Sequence, residues 1–390
     1  MNPVEIVTIK NKIPLFKGDD QANSIELIEL EEVGNILVSQ KGLYEIGDKA
    51  VFIQPDYSLP DVSLFESFHR PGGDPKKTLL GSNGRIKAKK FNLHTGNGVP
   101  VYSYGILLSL NEVQDYSNKV SGNYDLEGLD ITKILGITKW EEPEDKSGSG
   151  VKGGQSRVFP EGMYRTDEEN INNMWNHIDK HIGYPITLIG TEKIDGSSIT
   201  LYYKNGKAGI ASRNLDKPLT ITKIIGRRDK TLLEKILFWT KPDLNIYKEV
   251  ESDSDFVRIG KPYLDTFVKY CKSLDIDLAL RGELNRQGLK GSGNKNNPSV
   301  KLEPNIIFYG LDLYNSTTIK LNENNFDKCI DECGFNRCKL VFNKSFNSKE
   351  ELLKECNTYF KDNLIEGIVV RTLDSNFSAK IMNLEYDSKK

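Results

Sequence analysis

The sequence predicts an α+β protein, with a small β-barrel at the amino-terminal side and a larger domain of mixed strands and helices after it. Three observations carry this. Residues 1–128 are divided by Gly, Pro, Asn and Asp into short β-prone runs, among them "ILVSQKG", "GDKAVFIQPD", "GRIKAKKF" and "YSYGILLSL". Short strands at regular spacing are the pattern of a small barrel. Next comes "EEPEDKSGSGVKGG" at 141–154, polar and rich in Gly and Ser. It cannot bury enough apolar surface to order itself, so 129–158 is read as a linker. Residues 159–390 then mix β-prone runs with helical periodicity, the pattern of an α+β domain.

Within that last segment "TDEENINNMWNHIDKH" reads as a helix capped by Thr166 or Asp167, with acidic residues in its first turn. Strands are expected at 186–192, 197–203 and 208–212. Helical patterns return in "DKTLLEKILFWT" and "YLDTFVKYCKSL", and "LALRGEL", "NIIFYGLDLY" and "IEGIVVRT" read as buried strands. No internal repeat is evident.

A chain of 390 residues exceeds one ordinary core and implies two or three domains. With 37% hydrophobic and 28% charged residues, a soluble globular protein is expected. No run approaches the roughly 20 apolar residues of a membrane span. The start "MNPVEIVTIKNKIPLF" lacks a basic segment followed by an apolar one, so no signal peptide is expected. A net charge of -2 leaves room for a basic groove on one face, because local field rather than net charge steers a polyanion. Cys329, Cys333 and Cys338 cluster without a C-x-x-C pair or a nearby fourth ligand, so they read as buried thiols at a helix end. A reducing compartment follows, cytoplasmic or nuclear. His177 and His181 stand four apart but lack an acidic or cysteine partner, and read as helix-surface residues.

Lys193-x-Asp195-Gly196 is the motif with chemistry in it. Alone it is weak, since a chain of this composition yields such a match by chance roughly a quarter of a time. What gives it weight is the order of later pieces: "SRN" at 212–214, "RGEL" at 281–284, "FYGLDLY" at 308–314, "EGIVVR" at 366–371 and "SAKIMN" at 378–383. Each sets a polar or aromatic residue at the end of, or within, an apolar strand, and strand ends on shared sheets converge in space.

This ordered set resembles the signature motifs of the covalent nucleotidyltransferases, the ATP-dependent ligases and mRNA capping enzymes. More narrowly, "FPEGMYRTDEENINN", "TEKIDGSS", "ASRN", "LRGEL" and "SAKIMN" resemble the ATP-dependent RNA ligases with an amino-terminal OB domain. "GLYEIGDKAVFIQPDYSLP", "GRIKAKKF" and "SYGILLSL" are similar to their OB module. The implied architecture is an OB-type β-barrel (1–128), a linker (129–158) and an adenylyltransferase domain (159–390) of mainly antiparallel sheets flanked by helices. DNA ligases and capping enzymes resemble one another in placing an OB domain after the last motif, whereas ten residues follow Lys380 here. A DNA ligase, a GTP-dependent capping guanylyltransferase and a non-catalytic RNA-binding protein stand as the alternatives.

The roles implied follow from what the reaction needs. A lysine at its reference pKa of about 10.4 cannot attack phosphorus at neutral pH, and nearby positive charge favours the neutral amine. Lys193 is thus the expected nucleophile toward the α-phosphate of ATP, the alternative being an exposed strand-end lysine. Lys380 is expected to bind the α-phosphate. Similar ligases often carry a second lysine beside it, where this chain has Ser378 and Met382 at two residues' distance. Asp195, Glu283 and Glu366 are the expected acids for Mg2+ (or Mn2+), partly through water. Glu192 and Glu283 are assigned to the nucleotide, as are Arg213, to ribose or the incoming 5′-phosphate, and Phe308, to stacking on adenine or else to the core. Similar ligases tend to read T-D-E-E-R-I where this chain has "TDEENI", so Asn170 replaces a positive group. The loop "NRQGLKGSGNKNNPSVK" is a candidate for polyphosphate or strand backbone. Lys87, Lys89, Lys90 and Phe91 are the candidate nucleic-acid grip of the barrel. The reading is an ATP-dependent RNA ligase acting as a monomer, with no membrane partner. It joins RNA 3′-OH and 5′-phosphate ends, in RNA or RNA/DNA duplexes.

Overall fold

The computed structural model describes residues 3–33, 36–98, 100–122, 126, 129–140, 157–163, 168–236, 244–285, 303–315, 318–374 and 376–387. The expected linker at 141–154 and almost all of the basic loop at 285–301 lie outside them. Among the described residues no helix is long and apolar enough to cross a membrane. The chain divides into two compact units, Met1–Pro143 with Asn170–Tyr184, and Glu144–Glu169 with Pro185–Lys390.

The first unit is built on β1 (Val4–Lys17), β2 (Asp20–Leu30), β3 (Ile36–Gln40), β4 (Lys49–Ile53) and β5 (Ile106–Ser109), followed by α1 (Leu110–Ser121). They form one antiparallel sheet in the order β3-β2-β1-β4-β5. The long β1 serves two neighbours. Val4–Thr8 pairs with β4, and Ile9–Lys17 pairs with β2 through two register shifts that bend the strand. Val38 N–H donates to Ser103 Oγ (3.0 Å) and Tyr104 N–H to the Ile36 carbonyl (3.1 Å), curling the sheet into a half-barrel.

This unit is larger than the 1–128 expected. Ile131, Leu135 and Ile137 are buried against Val51, Ile53 and Phe65, so the segment assigned to a linker belongs in part to the barrel core. Residues 170–184 also cluster here, and Tyr104 is hydrogen-bonded to Asn172. The single long helix expected at 166–181 is instead a 3-10 turn (Ile171–Asn173), one α-turn (Trp175–His177) and a π-turn (Ile178–Ile182). Thr166 and Asp167 lie outside the described residues. The cap is Asn170, buried, whose side chain accepts from Asn172 N–H at 3.0 Å.

Among the described residues the second unit holds two larger sheets, antiparallel except where Asn336–Arg337 pairs in parallel with Ile307–Phe308, and a separate two-stranded sheet of Thr220–Arg227 with Asn245–Glu251. One runs β8-β7-β9-β10 in order, from β7 (Ser197–Lys204), β8 (Lys207–Ser212), β9 (Leu278–Asn285) and β10 (Asn305–Tyr314), with Thr318–Lys320 pairing on the β10 edge. The β7–β8 turn is Asn205-Gly206, both at positive φ, as a two-residue hairpin with right-handed strand twist requires. Helices α2 (Asp255–Leu274) and α3 (Glu323–Cys333) cover one face, burying Leu264, Phe267, Cys271, Phe326 and Cys329 against Ile199, Leu201, Leu280 and Phe308. Caps set their ends: Ser254 and Asn322 accept backbone N–H at the start, and Asp275 and Gly334 sit in αL at the finish.

The other sheet runs β13-β12-β6-β11, from β6 (Ile186–Lys193), β11 (Leu340–Phe346), β12 (Gly367–Arg371) and β13 (Ser378–Met382). It is backed by α4 (Lys349–Asp362), and a short α5 (Leu384–Asp387) follows β13. All five cysteines are free thiols. Of the expected cluster Cys329 and Cys338 are buried and Cys333 partly so, with Cys338 lying beyond the helix rather than at its end.

Candidate active site

Alternation along the strands decides which residues meet. In the first sheet of the second unit, Glu283 pairs with Ser198 and with Ile307, and Arg281 pairs with Thr200. Paired residues share a face, and this face is opposite to the α2/α3 core. From the other sheet Arg371 reaches across, its guanidinium 6.0 Å from the Tyr309 ring centroid. The two sheets therefore line a common cleft, with Lys193 at the end of β6 opening into it.

Lys193 Nζ donates to Glu366 Oε2 at 2.5 Å, with about a quarter of the lysine side chain exposed. Burial alone would push this amine down, but Glu366, Glu283 and Asp195 more than offset it and hold the ammonium above its usual range. Burial likewise pushes the Glu283 carboxyl up to about 8; Lys193 and Arg213 pull it down, and Glu366 and Glu168 push it up. Glu366 is raised by burial against the pull of Lys193 and Lys380. Lys193, Asp195, Arg213, Glu283, Glu366 and Lys380 thus each act electrostatically on at least one of Lys193, Glu283 and Glu366. Lys380 on β13 pairs with Val369 of β12, the strand that lies between β13 and the β6 strand of Lys193.

Gly196 has a local reason. A Cβ there would lie 2.9 Å from the Leu284 carbonyl and 3.2 Å from Glu283 Cβ, so the turn after Lys193 closes on β9 only without a side chain.

Two assignments are corrected. Phe308 is fully buried, stacked on Phe335 with centroids 5.0 Å apart and edge-on to Tyr263 at 5.8 Å. It faces the helices, and its neighbours Ile307 and Tyr309 face the cleft; Phe308 as placed cannot stack on a base. Glu192 alternates with Lys193 and is held elsewhere, accepting from Tyr359 Oη at 2.7 Å and lying 3.5 Å from Lys339 Nζ. Its second oxygen has no hydrogen bond among the described residues.

Other residues carry no signal in the sequence. Tyr386 on α5, 2% exposed, donates to Asp195 Oδ2 at 2.8 Å. Asn383 ties the same turn to β12: its backbone N–H donates to the Glu366 carbonyl and its Nδ2 to the Ile365 carbonyl at 2.9 Å. Beneath the cleft face Arg281 and Asp312 form a buried pair at 2.7 Å, and Arg281 also donates to Thr200 Oγ1.

A divalent cation fits this donor set in one respect and not in another. Glu283 Oε2 is buried with no hydrogen-bond partner, an acceptor awaiting a cation or a donor. Among the described residues, however, no three His, Cys, Asp or Glu side chains stand in a ready coordination array. Mg2+, which keeps waters and takes one or two carboxylates alongside substrate phosphates, is compatible with that; a preformed protein cage is not.

Comparison with known proteins identifies the family and the fold. Residues 186–382, half of the chain, match the family model described as RNA ligase. This chain belongs to the RNA ligase family and is a ligase of the nucleotidyltransferase type. No curated protein sequence matches. Among solved structures, the Naegleria gruberi RNA ligase with PPi is 21% identical with a TM-score of 0.67, over 100% of this chain and 98% of that one. A mutant of that enzyme with ATP and Mn is 19% identical (TM-score 0.67, 100% and 99% covered), and another with AMP and Mn 18% identical (TM-score 0.68, 100% and 99%). At these identities the likeness establishes the fold.

Proposed function

We propose that this chain is an ATP-dependent RNA ligase that works through a lysyl-AMP intermediate and seals RNA ends in duplexes. The observation that carries the proposal is Lys193 at 2.5 Å from Glu366, with Glu283, Asp195, Arg213 and Lys380 close enough to act electrostatically on that pair or on Glu283. The similar Naegleria structures hold ATP or AMP with Mn, which supports ATP and a divalent cation as the cofactors.

In the first step Lys193 Nζ attacks the α-phosphorus. The N–P bond forms, the bond to the bridging oxygen breaks, and its electron pair leaves with pyrophosphate. Acids that hold the ammonium must be neutralised before the amine can react; Glu283 and Glu366 would hold a divalent cation, which would supply that charge. Lys380 faces the phosphate, and Arg213 offers a fork to ribose or to the incoming 5′-phosphate. In the second step the 5′-phosphate oxygen displaces Lys193 from AMP. In the third a 3′-hydroxyl displaces AMP and the phosphodiester closes. Alignment and charge neutralisation do most of this work, which suits a site without histidine.

Incubation with α-labelled ATP or GTP and Mg2+, followed by denaturation, tests the first step. Label from ATP alone, lost in Lys193→Ala, supports the ligase. Label from GTP alone makes the protein a guanylyltransferase, and label from neither makes it a binding protein. Nicks with RNA or DNA on the 3′-OH side then test the substrate, with RNA-ended nicks expected to be joined faster.

A further inference from the structure

Lys320 lies on the Thr318–Lys320 edge strand, and its Cα partner across the sheet is Asp312. Asp312 is engaged by Arg281, so Lys320 projects from the cleft face rather than the core face. Its ammonium crosses to the opposite sheet, where Nζ donates to Ser378 Oγ at 3.4 Å. Among the described residues Lys320 has no carboxylate partner; a half-buried ammonium is held here by a hydroxyl alone. Ser378 is two residues before Lys380 on β13, so both point to the same face. The register gives a direction. Met382 is level with Gly367 and thus with Lys193, Lys380 is level with Val369, and Ser378 is level with Arg371. Moving away from the nucleophile, one meets Lys380 and then, about 7 Å farther along the strand, Ser378 with the Lys320 ammonium.

We propose that Lys320 and Ser378 form the pocket that binds the departing pyrophosphate, a nucleotide-polyphosphate subsite assembled across the two sheets. The proposal rests on the ligase reading above. In-line displacement sends the leaving group away from the attacking amine, and the Lys320–Ser378 pair stands on that side of Lys380. Charge grows on the bridging oxygen and the β-phosphate as the bond breaks, and a cation already paired only to a hydroxyl can turn to meet it. Nothing at Ser378 itself supplies this charge, so a lysine from a different strand does.

The three steps separate this role from others, because only the first releases pyrophosphate. Wild type, Lys320→Met and Lys320→Arg are compared for the single-turnover rate of lysine adenylation, for reversal by added pyrophosphate, and for sealing of RNA supplied already 5′-adenylated; thermal melts check folding. Expected for Lys320→Met are about tenfold slower adenylation and about tenfold more pyrophosphate needed for half-maximal reversal. Sealing of the adenylated RNA and the melting temperature should match wild type, and Lys320→Arg should recover most of the loss. Unchanged adenylation and reversal in Lys320→Met would overturn the proposal. So would equal loss in all three assays, which marks an RNA-backbone contact or a structural role. Absence of adenylation in wild type would instead refute the ligase reading.

Discussion

Glu283 concentrates the electrostatics of the cleft in one side chain. Burial raises its carboxyl from the usual carboxylate range to about 8, with Glu366 and Glu168 adding to the rise. A carboxyl whose folded pKa is raised contributes stability that is complete below its unfolded value and is lost as pH climbs through the folded one. The metal-free protein should therefore lose melting temperature between about pH 5 and pH 8 through this group. Glu283→Gln keeps the shape and removes the charge, and should flatten that slope. A domain of this size moves roughly 2–4 °C per kcal/mol, so the difference is within reach of calorimetry. Added Mg2+ should raise the wild type more than the variant at pH 8. Equal slopes in the two proteins would show that the carboxyl is not held as described.

Tyr386 makes a second residue-scale case. Its hydroxyl fixes one oxygen of Asp195 from a fully enclosed ring. Tyr386→Phe removes that bond while filling the same space, and is expected to slow lysine adenylation about tenfold, the size of a hydrogen bond to a charged acceptor. Stopped-time labelling of the two proteins measures it.

Among the elements, β9 and β10 explain both what the sequence disclosed and what it hid. Lys193, Glu283, Glu366 and Lys380 were legible because polar residues at apolar strand ends are conspicuous, and their order along the chain has a resemblance to name. Phe308 was not, because "NIIFYGLDLY" is apolar on both faces and offers no alternation to phase. A register shift between Arg281 and Gly282 makes counting along it less useful still. Tyr359 and Tyr386 were invisible for another reason: each lies on a helix far from its acid in sequence, and only packing brings them together. Beneath both strands, Arg281 and Asp312 are each under 5% exposed. Removing one member strands the other charge in the interior. Asp312→Ala should cost roughly 3–5 kcal/mol by denaturant unfolding, whereas replacing both by apolar residues of similar volume should cost much less.

At the scale of the whole molecule the proposal divides the work between the two units. The chemistry lies within the second, where every acid and lysine of the site is found. The first contributes a basic ribbon, Lys89–Phe91 paired with Val101–Ser103, in which Lys89 lies 5.6 Å from the Phe91 ring and Lys90 5.8 Å from the Tyr102 ring. Lysines interleaved with aromatic rings, Lys89 exposed and Lys90 half-buried, suit a nucleic-acid strand. Reversing charge at Lys87, Lys89 and Lys90 to Glu should leave lysine adenylation within about twofold of wild type while end joining falls at least tenfold. The salt dependence of joining should become shallower, since fewer counterions are released. Gel-based sealing assays across a salt series check both. The barrel was readable from its turn residues, yet its extent was not, because Ile131, Leu135 and Ile137 reveal their destination only once the core around Phe65 is assembled.

The proposed function depends on a covalent bond between one amine and adenylate. The most direct measurement is mass spectrometry of the intact protein after incubation with ATP and Mg2+, followed by peptide mapping. The prediction is a gain of one adenylyl group, located on Lys193 and removed by added pyrophosphate. A protein that stays at its unmodified mass, or carries the group on another side chain, would contradict it.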